Sequence, residues 1–204
     1  MIRTGRTRTT ALALAALATF ATAASAAPDC ESLAVFHTTC ARCHEAECSG
    51  RVTFDDLSRA SEHVRRYAGP LADARVTELL ALLRVTKEAC RIDADAAARC
   101  GEPPWDAARL RRVHVATERA WFVPLGAPST GAHRVVLRFD RDVEASLQIL
   151  TARFDTVHEA TVRSREHVLA TPFSASGDGM LFVRVHAAGE AELLRLEIET
   201  IAPP

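Results

Sequence analysis

Methionine is scarce in this chain: Met1 and Met180 are the only two in 204 residues. Lysine is scarcer still, Lys87 standing alone among 25 basic residues. The other bases are arginines, and no basic run is long enough to follow a phosphate backbone, which speaks against nucleic acid as a partner. Cysteine is absent beyond residue 110. After residue 24 no apolar run is long enough to span a bilayer. What remains is ordinary: 48% hydrophobic and 25% charged residues describe a globular chain rather than a disordered one. The length leaves one domain or two small ones open.

Residues 1 to 26 read as a cleavable signal peptide. Arg3, Arg6 and Arg8 make a positive start, residues 11 to 24 an Ala/Leu-rich apolar stretch, and Ala24-Ser25-Ala26 a small-residue cleavage site. Asp29 stands where a lipid anchor on Cys30 would need a small residue. Cleavage takes the formal charge from −1 to −4, because three arginines leave and no carboxylate does. The expected location is periplasmic or secreted, an oxidising setting in which spare cysteines pair.

The mature chain changes character near residue 101. Residues 29 to 100 hold all six cysteines and read as helical. Ser32 to Cys40 suits a helix with Leu33 and Phe36 on one side. Thr53 or Asp55 can cap a second helix, striped by Leu57, Ala60, Val64 and Tyr67, that ends at Gly69-Pro70. A third, Asp73 to Glu88, carries Val76, Leu79, Leu80, Leu82 and Leu83 and needs a partner surface. Past the breaker Gly101-Glu102-Pro103-Pro104, alternation takes over: Val135/Leu137/Phe139, Val143/Ala145/Leu147/Ile149, Leu181/Val183/Val185 and Leu194/Leu196/Ile198 each mark one face of a strand. Gly177-Asp178-Gly179 and Ala188-Gly189-Glu190 supply turns. The expectation is two domains, all-α over 27 to 100 and an all-β sandwich or jelly roll over 111 to 204, with 101 to 110 as linker.

Cys40-Ala41-Arg42-Cys43-His44 is the motif that carries chemistry. Two thiols two residues apart can form thioethers to the two vinyl groups of a haem, and the next His reaches its iron. Cys-x-x-Cys also serves redox dithiols and zinc sites. A zinc knuckle would want a second ligand pair at close spacing, and a thioredoxin-like site a βαβ pattern around the motif; the sequence has neither.

With Phe36 four residues before Cys40, the complete motif, and the Leu-rich helix around Glu78-Leu79-Leu80-Ala81-Leu82-Leu83, residues 29 to about 92 resemble the small monohaem c-type cytochromes of all-α cytochrome c fold. The resemblance implies one covalent haem c attached through Cys40 and Cys43, His44 as proximal axial ligand, one-electron transfer, and redox partner proteins. It also implies a methionine as second axial ligand, and here the chain departs: no Met lies between His44 and the third helix, and Met180 falls in the strand region. His63, bordering the apolar stripe between Ala60 and Tyr67, is the candidate distal ligand. The alternatives are a solvent-facing His63 and a five-coordinate iron with Tyr67 or water nearby. His37, three residues before Cys40, is a weaker candidate.

Cys30, Cys48, Cys90 and Cys100 are left to pair, in any of three ways. His114, His133, His158, His167 and His186 read as solvated surface histidines, and Trp105 and Trp121 as core anchors. The strand pattern of the second half is weakly similar to the β-sandwich modules of secreted bacterial proteins, pre-peptidase C-terminal domains among them, and implies no ligand. The expected function is thus electron transfer by an exported monohaem protein. The alternatives are a haem-based sensor or ligand-binding protein, or a haem enzyme such as a peroxidase.

Overall fold

The computed structural model describes residues 27–45 and 57–202. The expected signal peptide, Cys48 and the expected caps Thr53 and Asp55 lie outside these residues.

Asp29 opens the first helix, its carboxylate accepting the Ser32 N–H at 2.8 Å. Helix α1 (Cys30–Val35) runs through a π turn (Phe36–Cys40) into α2 (Ala41–His44). Ser32, Leu33, Ala34, Phe36, His37, Thr38 and Ala41 are all buried. A helix covered on one stripe has one neighbour; one covered on several sides lies between layers. On one side is α4 (Asp73–Ala89), which contributes Val76, Leu79, Leu82 and Leu83 to the core. Arg75 of α4 fixes that contact, pairing with Asp29, with Glu31 at 2.7 Å and with Glu78 at 3.3 Å. Helix α3 (Leu57–Ala68) packs on α4 and the π turn. Helix α5 (Ala94–Cys100) packs on α1, and the Cys30–Cys100 disulfide joins them.

On the other side lies a sheet. Nine strands among the described residues form two antiparallel sheets. The first runs β1 (Trp105–Asp106), β9 (Leu193–Thr200), β4 (Gly131–Phe139), β7 (Val168–Ala175). The second runs β2 (His114–Val115), β3 (Ala120–Gly126), β8 (Leu181–Ala187), β5 (Glu144–Thr151), β6 (Thr156–Arg163). Every residue of β3 is buried. That is the pattern of a strand covered on both faces. Trp121 pairs with Val185, and both enter the core between the sheets; Phe122 pairs with Arg184, and both turn to the helices. One apolar core therefore runs from Leu33 and Leu79 to Leu137 and Leu196.

The expected all-α cytochrome c-like domain followed by a separate all-β domain is thus overturned. The chain is mostly β-sheet, and the helices are a small N-terminal layer laid on the second sheet. The physical reason is that α1 presents two buried sides while α3 and α4 cover only one. Residues 101–110, expected as a linker, hold β1 and part of α6 (Ala107–Arg112). Arg109 orders this stretch by donating to the carbonyls of Cys100 (3.1 Å), Glu102 (3.1 Å) and Pro104 (2.9 Å) while lying over the Trp105 ring.

The inward strand phases hold with one exception. A bulge between Arg138 and Phe139 pairs Phe139 with Leu193, so Leu193 turns inward and Leu194 is exposed. Trp105 and Trp121 are core residues, as expected. The histidines are less solvated than expected. His133 is buried and bonds the Ser129 carbonyl at 2.7 Å, His158 bonds Thr171 at 2.9 Å, and His114 stacks on Trp121. Among the described residues no helix is long and apolar enough to cross a membrane.

Candidate haem-attachment site

The π turn decides where the motif points. The Ala41 N–H bonds the Phe36 carbonyl, one residue further back than the α-helical partner His37. The wider turn carries Phe36, Cys40, Cys43 and His44 to one wall of a cavity of about 200 Å³. Val64 and Tyr67 of α3 and Leu79 and Leu83 of α4 complete its apolar lining among the described residues. His63 of α3 lines the same cavity.

The imidazole rings of His44 and His63 have centroids 6.1 Å apart at an interplanar angle of 62°. Tyr67 sits against His63, with ring centroids 4.7 Å apart. His63 is exposed on its helix while lining the cavity, and Leu57 and Tyr67 of the same helix are also exposed. The donor set fits a haem: two thiols and an imidazole from the motif, a second imidazole from α3, and apolar residues in the same lining.

Cys40 and Cys43 are free thiols, Cys43 exposed and Cys40 half-buried. Burial, with Cys43 adding to it, pushes the Cys40 thiol up to about 11. A redox dithiol works through a depressed pKa, so the raised value disfavours that reading. No three His, Cys, Asp or Glu side chains converge among the described residues as a protein-only metal site would require. A haem asks less of the chain, because its iron is already held by the porphyrin.

The weaker candidate His37 is not at the cavity. It is buried against the second sheet, stacked on Phe122 with centroids 4.4 Å apart and near Phe154 at 5.9 Å. Met180 stands just before β8, packed on the core, and does not line the cavity. The structure pairs Cys30 with Cys100 among the three pairings left open; Cys90 is likewise disulfide-bonded.

The sequence reading missed the residues that hold the motif from the sheet side. Arg42 pairs with Glu118 at 2.9 Å, and Arg184 of β8 pairs with Glu45 at 2.6 Å. The alternation marked Leu181, Val183 and Val185 as one face of a strand and gave Arg184 no role. The overlooked signal was Phe122 and Phe182, which stack on each other at outward strand positions and so mark a covered face.

No protein-family model matches this chain. No curated protein matches it either. Several solved structures are similar over part of it, two of them as follows. One, an isomalto-dextranase of Arthrobacter globiformis T6 complexed with panose, is 13% identical with a TM-score of 0.31, covering 39% of this chain and 16% of its own. The other, a family GH115 4-O-methyl-α-glucuronidase with specificity for decorated arabinogalactans, is 12% identical with a TM-score of 0.36, covering 73% of this chain and 24% of its own. This chain thus spans less than a quarter of either protein's length, and neither likeness bears on the cavity.

Proposed function

We propose that this is an exported protein carrying one covalent haem c and serving in one-electron transfer. One observation carries the reading: Cys40, Cys43, His44 and His63 line the same apolar cavity, with the His44 and His63 rings 6.1 Å apart.

In this reading Cys40 and Cys43 would hold the group by thioethers, and His44 and His63 would ligate its iron. When bound, the haem supplies reversible one-electron chemistry at iron. The chain's own part is to fix the ligands and exclude water. Phe36, Val64, Leu79 and Leu83 make the low-dielectric surroundings, which favour the less charged form of the iron. Imidazole on both sides lowers the potential relative to Met/His ligation. Disulfides at Cys30–Cys100 and Cys90 support the expected oxidising location, periplasmic or secreted. The partners in this reading are redox proteins that take or give the electron.

The test is a pyridine haemochrome assay on protein produced in a host that attaches c-type haem, followed by spectra of the reduced protein with and without carbon monoxide. One haem per chain that survives a denaturing gel, with no response to carbon monoxide, is expected. A colourless chain overturns the reading. Rapid carbon monoxide binding moves the assignment to a ligand-binding or enzymatic haem.

A further inference from the structure

The β-sheet side of the molecule reaches the motif through one residue. Arg184 is 14% exposed and sits in a strand of buried aliphatic neighbours, where an unpaired cation would be costly. Its donors are nevertheless all directed. Nε bonds the His37 carbonyl at 2.8 Å, one terminal nitrogen bonds Glu45 at 2.6 Å, and the other bonds Gln148 at 2.8 Å and Glu45 at 3.3 Å. His37 is three residues before Cys40, and Glu45 directly follows His44. One guanidinium thus grips both ends of the segment that contains Cys40, Cys43 and His44.

The His37 carbonyl is the one that the π turn passes over, because the Ala41 N–H goes to Phe36. In a regular α-helix the Ala41 N–H would return to His37, and every residue after it would turn about the helix axis relative to those before. We propose that Arg184 is a positioning residue for haem attachment: by holding the His37 carbonyl and Glu45 it keeps the π turn, and so keeps Cys40, Cys43 and His44 on the cavity wall. The sheet is then part of the haem-binding device rather than a separate module. This inference rests on the reading that those three residues bind haem, but its effect on the helix does not.

The experiment compares Arg184→Gln and Arg184→Lys with Val183→Ala, a core change that weakens the sheet without touching the motif. In apo protein, alkylation of Cys40 relative to Cys43 reports the turn. Arg184→Gln should speed Cys40 labelling several-fold, because loss of the turn exposes a thiol that is half-buried in the parent. Arg184→Lys keeps the charge but not the fork, and should fall between. In holo protein, Arg184→Gln should lower the yield of covalent haem several-fold and shift the midpoint potential of what is attached. Val183→Ala should leave both readouts at the parent's values. If Arg184→Gln loses stability as Val183→Ala does while labelling and potential stay unchanged, the positioning role is wrong. If the parent itself attaches no haem, the haem reading fails, and the labelling comparison still decides what Arg184 does.

Discussion

The His37 ring stacks on Phe122 with centroids 4.4 Å apart, and neither ring nitrogen has a hydrogen-bond partner. Burial, and secondarily the nearby Arg184 cation, hold the His37 pKa well below its ordinary value of 6.5. The folded chain therefore carries His37 neutral, while the unfolded chain takes up a proton below about pH 6.5. This contribution to stability is full above that pH and is lost as pH falls below it, by up to about 1.4 kcal/mol per pH unit. His37→Phe should flatten the loss. Denaturant unfolding at about pH 7 and about pH 5 measures it, and equal losses in parent and variant would clear His37 of the role.

Because Phe122 and Phe182 face the helices, the strands alone have an uncovered apolar face. A fragment starting at residue 108 should bind a hydrophobic dye and self-associate, and the full chain should unfold in one cooperative step. Two separated transitions, with a monomeric, dye-silent fragment, would count against the shared core.

How much of this was readable from residues alone differs by region. Strand faces were legible wherever apolar and polar residues alternate cleanly, as in β5, and failed where a bulge moved Leu193 into the place expected for Leu194. The motif and the cavity-facing His63 were legible because their spacing is local. The layering was not. It depends on the sheet-facing side of the first helical segment, where His37 of the π turn carries no strong hydrophobic signal, and on the unbroken burial of β3. Arg184 was illegible for the same reason: a lone charge in a strand gives no hint that its partners are 139 and 147 residues away in sequence.

The Cys30–Cys100 disulfide closes a loop with a sequence separation of 70. Replacing both by Ser should cost about 4 kcal/mol, chiefly by releasing the unfolded chain. The loss should be largest for α1 and α5, which the bond joins, and amide exchange resolved by segment would show it. Uniformly faster exchange across both sheets and all helices would mean that the bond serves the whole core instead.

With its pKa near 11, Cys40 should stay protonated at neutral pH. In apo protein the exposed Cys43 should therefore alkylate first and Cys40 much more slowly. Replacing both with Ala should abolish covalent haem and leave at most a dissociable one. Haem still migrating with the double variant on a denaturing gel would remove thioether attachment from the account.

On the proposed haem reading, His63 decides what the cofactor does. It lines the cavity together with His44 and is exposed on α3. If His63 ligates the iron as His44 would, the oxidised spectrum should be low-spin without the weak near-infrared band that thioether ligation gives. His63→Ala should then produce a high-spin spectrum, admit carbon monoxide to the reduced protein and change the potential. His63→Met should raise the potential, since a thioether favours reduced iron more than imidazole does. Tyr67, whose ring lies 4.7 Å from that of His63, should matter less, because Tyr67→Leu keeps the apolar contact while removing the hydroxyl. A His63→Ala spectrum identical to the parent's would leave His63 a surface residue, and electron transfer would then give way to ligand binding as the working function.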